Sequence, residues 1–74
     1  MQDYIGVIID YRNIVTDILT FSVDTDLPFE EAAQRFAQVY CDSLTDEFVL
    51  TKAEHNNPVR YFYHLQKEVW VNKE

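Results

Sequence analysis

The stretch YIGVIIDYRNIVTDILTFSV, from Tyr4 to Val23, decides the fold because it reads equally as two structures. As a hairpin, Tyr4–Tyr11 forms one strand, Arg12 and Asn13 the turn, and Ile14–Val23 the second strand. The density of Ile, Val and Thr supports this reading. As a helix over residues 3–21, Tyr4, Val7, Ile8, Tyr11, Ile14, Val15, Ile18 and Leu19 fall on one stripe, with Ile5 and Ile9 outside it. Periodicity favours the helix. Propensity favours the strands, since β-branched side chains lose rotamer freedom in a helix. The continuation ILTFSVDTDLP (Ile18–Pro28) tips the balance: it reads as a strand running into a loop and then a helix start.

The next segment is less ambiguous. Phe29, Ala32, Ala33, Phe36, Ala37, Tyr40 and Leu44 recur at steps of three and four, predicting an amphipathic helix over about 28–43. Pro28 suits the first turn, where its missing N–H has no partner to lose. Asp26 or Thr25 is expected to cap the helix, and Glu31 and Arg35 have the favourable four-residue spacing of an ion pair. Beyond it, Glu47–Ala53 reads as a strand, Glu54–Pro58 as a turn and Val59–Leu65 as an alternating strand. That alternation resumes at Val69 and Val71, which predicts a bulge near Lys67. The expected class is α+β: one helix on a small antiparallel sheet in the order β-β-α-β-β. The alternative is α-α-β-β with residues 3–21 helical. At 74 residues the chain is read as one domain, 1–74, with a thin core.

Composition restricts function more firmly than motifs do. The chain is 47% apolar and 15% aromatic, with one glycine and two prolines, so it is expected to fold rather than remain disordered. Its net charge is −7, unevenly spread. Residues 1–50 hold ten acids against two bases, a net −8, whereas residues 51–74 hold three acids against four bases, a net +1. Direct binding to nucleic acid or to an anionic membrane is disfavoured, because both rest on Lys and Arg neutralising phosphate. No apolar run approaches a membrane span, no signal-peptide pattern opens the chain, and a lone Cys41 excludes an internal disulfide. A cytoplasmic protein is expected.

No enzyme signature is present. The chain has no Gly-rich phosphate loop, no His-x-x-x-His pair and no Gly-x-Ser-x-Gly, so no catalytic residue and no cofactor is expected. Asp24, Asp26, Glu30 and Glu31 offer hard oxygen donors, but they lack the glycine and the longer acid alternation of a calcium loop. No metal is expected, and a helix start accounts for these acids. Asp3, Asp10, Asp17 and Asp24 recur every seven residues, a ladder that exists only if the first segment is helical. Asp42, Asp46 and Glu47 are harder to explain. They follow the helix C-terminus, where the dipole favours cations, so they belong either to a turn or to a functional surface. Tyr61, Phe62, Tyr63 and Trp70 alternate across a hairpin of which one helix can cover only one face.

These features point to a small acidic interaction protein. It would inhibit a partner protein by binding that partner's basic, nucleic-acid-holding surface, as a nucleic-acid mimic of phage or mobile-element type does. The expected partner-binding residues are Asp24, Asp26, Glu31, Asp42, Asp46, Glu47, Phe62 and Trp70. The alternative is a homodimeric structural or regulatory module, or an antitoxin-like partner protein, using the aromatic C-terminal hairpin.

Overall fold

Strand propensity prevails over helical periodicity in the first segment. In the computed structural model, which describes residues 2–24 and 26–72, β1 (Gln2–Asp10) and β2 (Val15–Val23) form an antiparallel hairpin. Its three-residue turn is held by the Asn13 N–H donating to the Asp10 carbonyl at 2.9 Å and the Asp10 N–H to the Ile14 carbonyl at 3.0 Å. Asn13 takes φ 64°, the left-handed conformation such a turn requires, and Asn tolerates it better than most residues. The seven-residue aspartate ladder dissolves with the helix that would have displayed it.

Helix α1 (Phe29–Tyr40) follows, then β3 (Thr45–Lys52), β4 (Val59–His64) and β5 (Val69–Asn72). The sheet is antiparallel throughout, in the order β2-β1-β3-β4-β5. Because β1 lies between β2 and β3, those two strands run parallel, and α1 is the crossover that such a connection needs. The class is the expected α+β, with one strand more than the expected order. Where the sequence suggested a bulge near Lys67, the chain reverses completely. The Glu68 N–H donates to the His64 carbonyl at 2.8 Å, the Lys67 N–H donates to His64 Nδ1 at 3.2 Å, and Glu68 adopts φ 56°. No Gly, Asn or Pro marks this turn, which is why the alternation on either side reads as one interrupted strand.

The helix is also shorter than expected. It ends at Tyr40, with the Cys41 N–H closing on the Ala37 carbonyl at 3.0 Å; Leu44 lies beyond it and is exposed. Its N-cap is Pro28, with no side-chain cap, so Asp26 does not cap it; Thr25 lies outside the described residues. Glu30 and Glu31 occupy the first turn, where the helix dipole favours them.

The two sheet faces differ. One packs on α1: Tyr4, Ile8, Phe48, Leu50 and Tyr61 meet Ala32, Ala33, Phe36 and Ala37 in the core. Phe36 lies at its centre, 5.1 Å from the rings of both Phe48 and Tyr40 and 5.6 Å from Phe21. Gly6 provides the space: a Cβ there would overlap the Phe36 ring at Cε2 and Cζ. Among the described residues no element covers the opposite face. One row across it reads Ile18, Val7, Val49 and Arg60. The next reads Val15, Ile9, Glu47, Phe62 and Val71. Among the described residues no helix is long and apolar enough to cross a membrane.

Candidate functional site

Two β-bulges adjust where side chains point. In the β1–β3 pairing Ile9 faces Glu47 and Asp10 faces Thr45, so Asp46 is the extra, unpaired residue of β3. A bulge of this kind re-aims the side chain it carries. Asp46 thereby joins a groove at the C-terminal end of α1, about 590 Å³ in volume. Its aromatic walls are Tyr11 from the first hairpin turn, Tyr63 from β4 and Trp70 from β5; Asp42 comes from the α1–β3 loop and Asp46 from the start of β3. Among the described residues no Lys, Arg or His lines it.

The loop that carries Asp42 is fixed by its own hydrogen bonds. Asp42 Oδ1 accepts the Leu44 N–H at 2.9 Å, the Thr45 N–H donates to the Asp42 carbonyl at 3.1 Å, and the Asp42 N–H donates to Thr45 Oγ1 at 3.2 Å. This is an Asx-type turn, and it explains an acid placed against the helix dipole. The Tyr11 N–H donates to the Leu44 carbonyl at 3.3 Å, tying the hairpin turn to the same loop. On the far wall Trp70 is half-buried, 5.1 Å from Phe48 and 5.4 Å from Tyr63 in an edge-on arrangement. Gln34 of α1 secures β5 by donating from Nε2 to the Trp70 carbonyl at 2.7 Å. Burial and then the Asp42 charge push the Cys41 thiol up to about 12, against a smaller opposing effect of Thr45, so the thiol stays protonated and poorly nucleophilic at neutral pH.

The groove suits a cation. Asp42 and Asp46 line it together with Tyr11, Tyr63 and Trp70, and the faces of such rings attract ammonium and guanidinium groups. The chain already contains one such contact, with the Arg12 guanidinium 5.7 Å from the centroid of the Tyr11 ring.

Of the expected binding residues, Asp42, Asp46 and Trp70 converge on this groove. Asp24 and Asp26 are exposed at the opposite end of α1, whose twelve residues span about 18 Å. Glu31 is exposed and 3.9 Å from Arg35, the ion pair its spacing implied. Asp24 lines a shallower groove that also contains Arg35, so charge gives that surface no preferred sign. Phe62 lies on the uncovered sheet face, opposite Trp70's side.

Glu47 lies outside this groove. Only 5% of it is exposed, and both its oxygens are held by Arg60, at 2.9 Å from Nε and 3.2 Å from Nη2. It is not a free anion for a partner, because the strand register points it across the sheet toward β4. Other acids are similarly engaged: Asp3 accepts from Ser22 Oγ at 2.7 Å, and Glu30 from the Tyr61 hydroxyl at 2.9 Å. Burial first, then this carboxylate, pushes the Tyr61 hydroxyl well above its ordinary pKa. Among the described residues no three His, Cys, Asp or Glu side chains gather as a metal site.

Tyr11 and Tyr63 were not among the expected site residues. Alternation located Tyr63 on its strand, but only the fold brings a hairpin turn from the N-terminal third against the C-terminal strands. Comparison with protein-family models, curated proteins and solved structures finds no match.

Proposed function

We propose that the protein is a small non-enzymatic interaction protein that grips a basic segment of a partner protein in the groove between Tyr11, Tyr63 and Trp70. A Lys or Arg side chain of the partner would lie against the rings, with Asp42 and Asp46 as its counter-charges. The observation that carries this reading is the convergence of Asp42, Asp46 and three aromatic rings on one cavity. The net charge of −7 supports it by drawing a basic partner in from a distance. The partner class that fits is a protein with a basic surface of the nucleic-acid-holding kind, and occupancy of that surface would inhibit it. Strict mimicry of a phosphate backbone has less support, since Asp3, Asp10, Glu30 and Glu47 spend oxygens on internal hydrogen bonds and Asp42 spends one of its two on its own turn.

Trp70 is the only tryptophan, so its fluorescence reports on the groove directly. Titration with a short Lys/Arg-rich peptide is expected to change that emission. The affinity should fall steeply as salt rises from about 50 to about 500 mM, where the screening length shortens to a few Å. Asp46→Asn should weaken binding severalfold, whereas Asp24→Asn with Asp26→Asn should leave it nearly unchanged. An emission that ignores the peptide, or an affinity indifferent to salt, would remove the proposal.

A further inference from the structure

We infer that the uncovered sheet face is the contact surface for a second copy of this chain, the two sheets packing face to face about a two-fold axis. The middle of the face is apolar and open: Ile18 is 70% exposed, Val15 51% and Ile5 45%, flanking half-buried Val7, Val49 and Phe62, while Thr20 and Thr51 share the row of Ile5 and Asp3 and Ser22 lie beyond it. Its dimensions follow from strand geometry. Five strands about 4.8 Å apart, averaging some seven residues of ~3.3 Å, make a face on the order of 600 Å². Its apolar part is a fraction of that, within the few hundred Å² of the largest apolar patch on a typical monomer. Two such faces would bury roughly 1,200 Å² in all, the lower end of the range for specific interfaces. Aligned sheet packing at ~10 Å is the established way for two such faces to interdigitate.

Charge selects the occupant. The middle of this face carries only Glu47 and Arg60, and they neutralise each other through bonds to both carboxylate oxygens. A basic partner finds no free anion there and an acidic partner no free cation, so the surface matches another neutral apolar surface of the same size. Elsewhere a chain of net −7 repels its own copy; the middle of this face is balanced, which lets two copies meet. Because the pair is already satisfied, burying it leaves no charge without a partner, although Arg60 loses hydration. The groove lies on the helix side and stays accessible in such a dimer, which would present two grooves to a partner.

Sedimentation equilibrium from about 10 µM to about 1 mM tests this, a range suited to an interface at the small end of the size classes. The mass is expected to rise from 8.8 kDa toward twice that value. It should do so at low and high salt alike, since apolar association is not screened. Ile5→Lys with Ile18→Lys replaces exposed side chains only. It should hold the mass at the monomer value and weaken association by tenfold or more, while circular dichroism stays that of the wild type. In mixed labelled and unlabelled wild-type protein, isotope-filtered NOEs between copies should join the Val49 and Val7 methyl groups to Phe62, a readout that needs no variant. A monomer at every concentration would overturn the inference. So would a dimer whose NOEs lie along the β2 edge or at Tyr63 and Trp70. Peptide titration of the monomeric variant keeps this outcome separate from the groove proposal.

Discussion

At the residue scale, the acids illustrate how a formal charge becomes a structural part. Asp10 is 5% exposed at the end of β1, and its two oxygens accept the Arg12 and Ile14 N–H groups and the Arg12 guanidinium at 2.7–3.1 Å. Burial works to raise its pKa. The Arg12 side-chain bond, the backbone bonds from Ile14 and Arg12 and the guanidinium charge outweigh that and hold the carboxyl below its ordinary value. A carboxyl with a lowered folded pKa contributes stability that is present above its unfolded pKa and lost as pH falls through the folded one. Asp10→Asn should therefore be less stable than wild type at pH 7 in urea unfolding. The gap should close only below about pH 3.8, the ordinary carboxyl value. A gap that persists unchanged to pH 2.5 would assign the loss to packing rather than to the charge. Arg12 and Asn13 lie in the turn, as the hairpin reading of the sequence expects. That Asp10 organises the turn is not legible in the sequence, because the relevant bonds reach two and four residues along a conformation that depends on Asn13 being left-handed.

At the scale of elements, helix against sheet is decided at one contact. Gly6 in β1 leaves the space that the Phe36 ring of α1 fills, and Phe36 is fully buried. Any larger residue at Gly6 must displace that ring. Gly6→Ala is expected to cost about 1–3 kcal/mol, the usual range for overpacking a core. The same substitution in a Phe36→Leu background should cost less, because the two sites couple directly, and a double-mutant cycle by urea unfolding measures the difference. Equal costs in both backgrounds would show that the helix does not rest on this contact. The helix itself was legible from its three-and-four spacing, since that spacing arises from the same geometry that buries Ala32, Ala33, Phe36 and Ala37. Its end was not legible. Leu44 continues the spacing but follows an Asx-type turn at Asp42, and spacing alone does not register where the backbone hydrogen-bond ladder stops. The fifth strand was hidden for a similar reason: Glu68 adopts a left-handed conformation that costs a non-glycine residue about 1–2 kcal/mol and that no residue choice announces.

At the scale of the molecule, ionic strength should move two properties in opposite directions. A net charge of −7 on a chain with a radius of gyration of 11.6 Å repels itself, so raising salt from about 10 to about 300 mM is expected to raise the melting temperature. The same change should weaken binding of a basic peptide in the groove, where attraction is screened. Parallel movement of both would mean that the surface acids do not act as one field. The sequence carried the α+β class, the helix, the absence of nucleotide and zinc-protease motifs and the acidic bias of the first fifty residues, because each of these is written in local spacing or in composition; the first hairpin competed with a helical reading of the same spacing. Tertiary structure decided which acids remain free. It buried Asp10 and Glu47 against arginines, used Asp42 to hold a turn, and turned Asp46 outward at a bulge. It also brought Tyr11 to Tyr63 and Trp70 and left one apolar sheet face uncovered. The physical reason is register: a strand's alternation tells which residues share a face, but only pairing with strands far along the chain tells what each face meets.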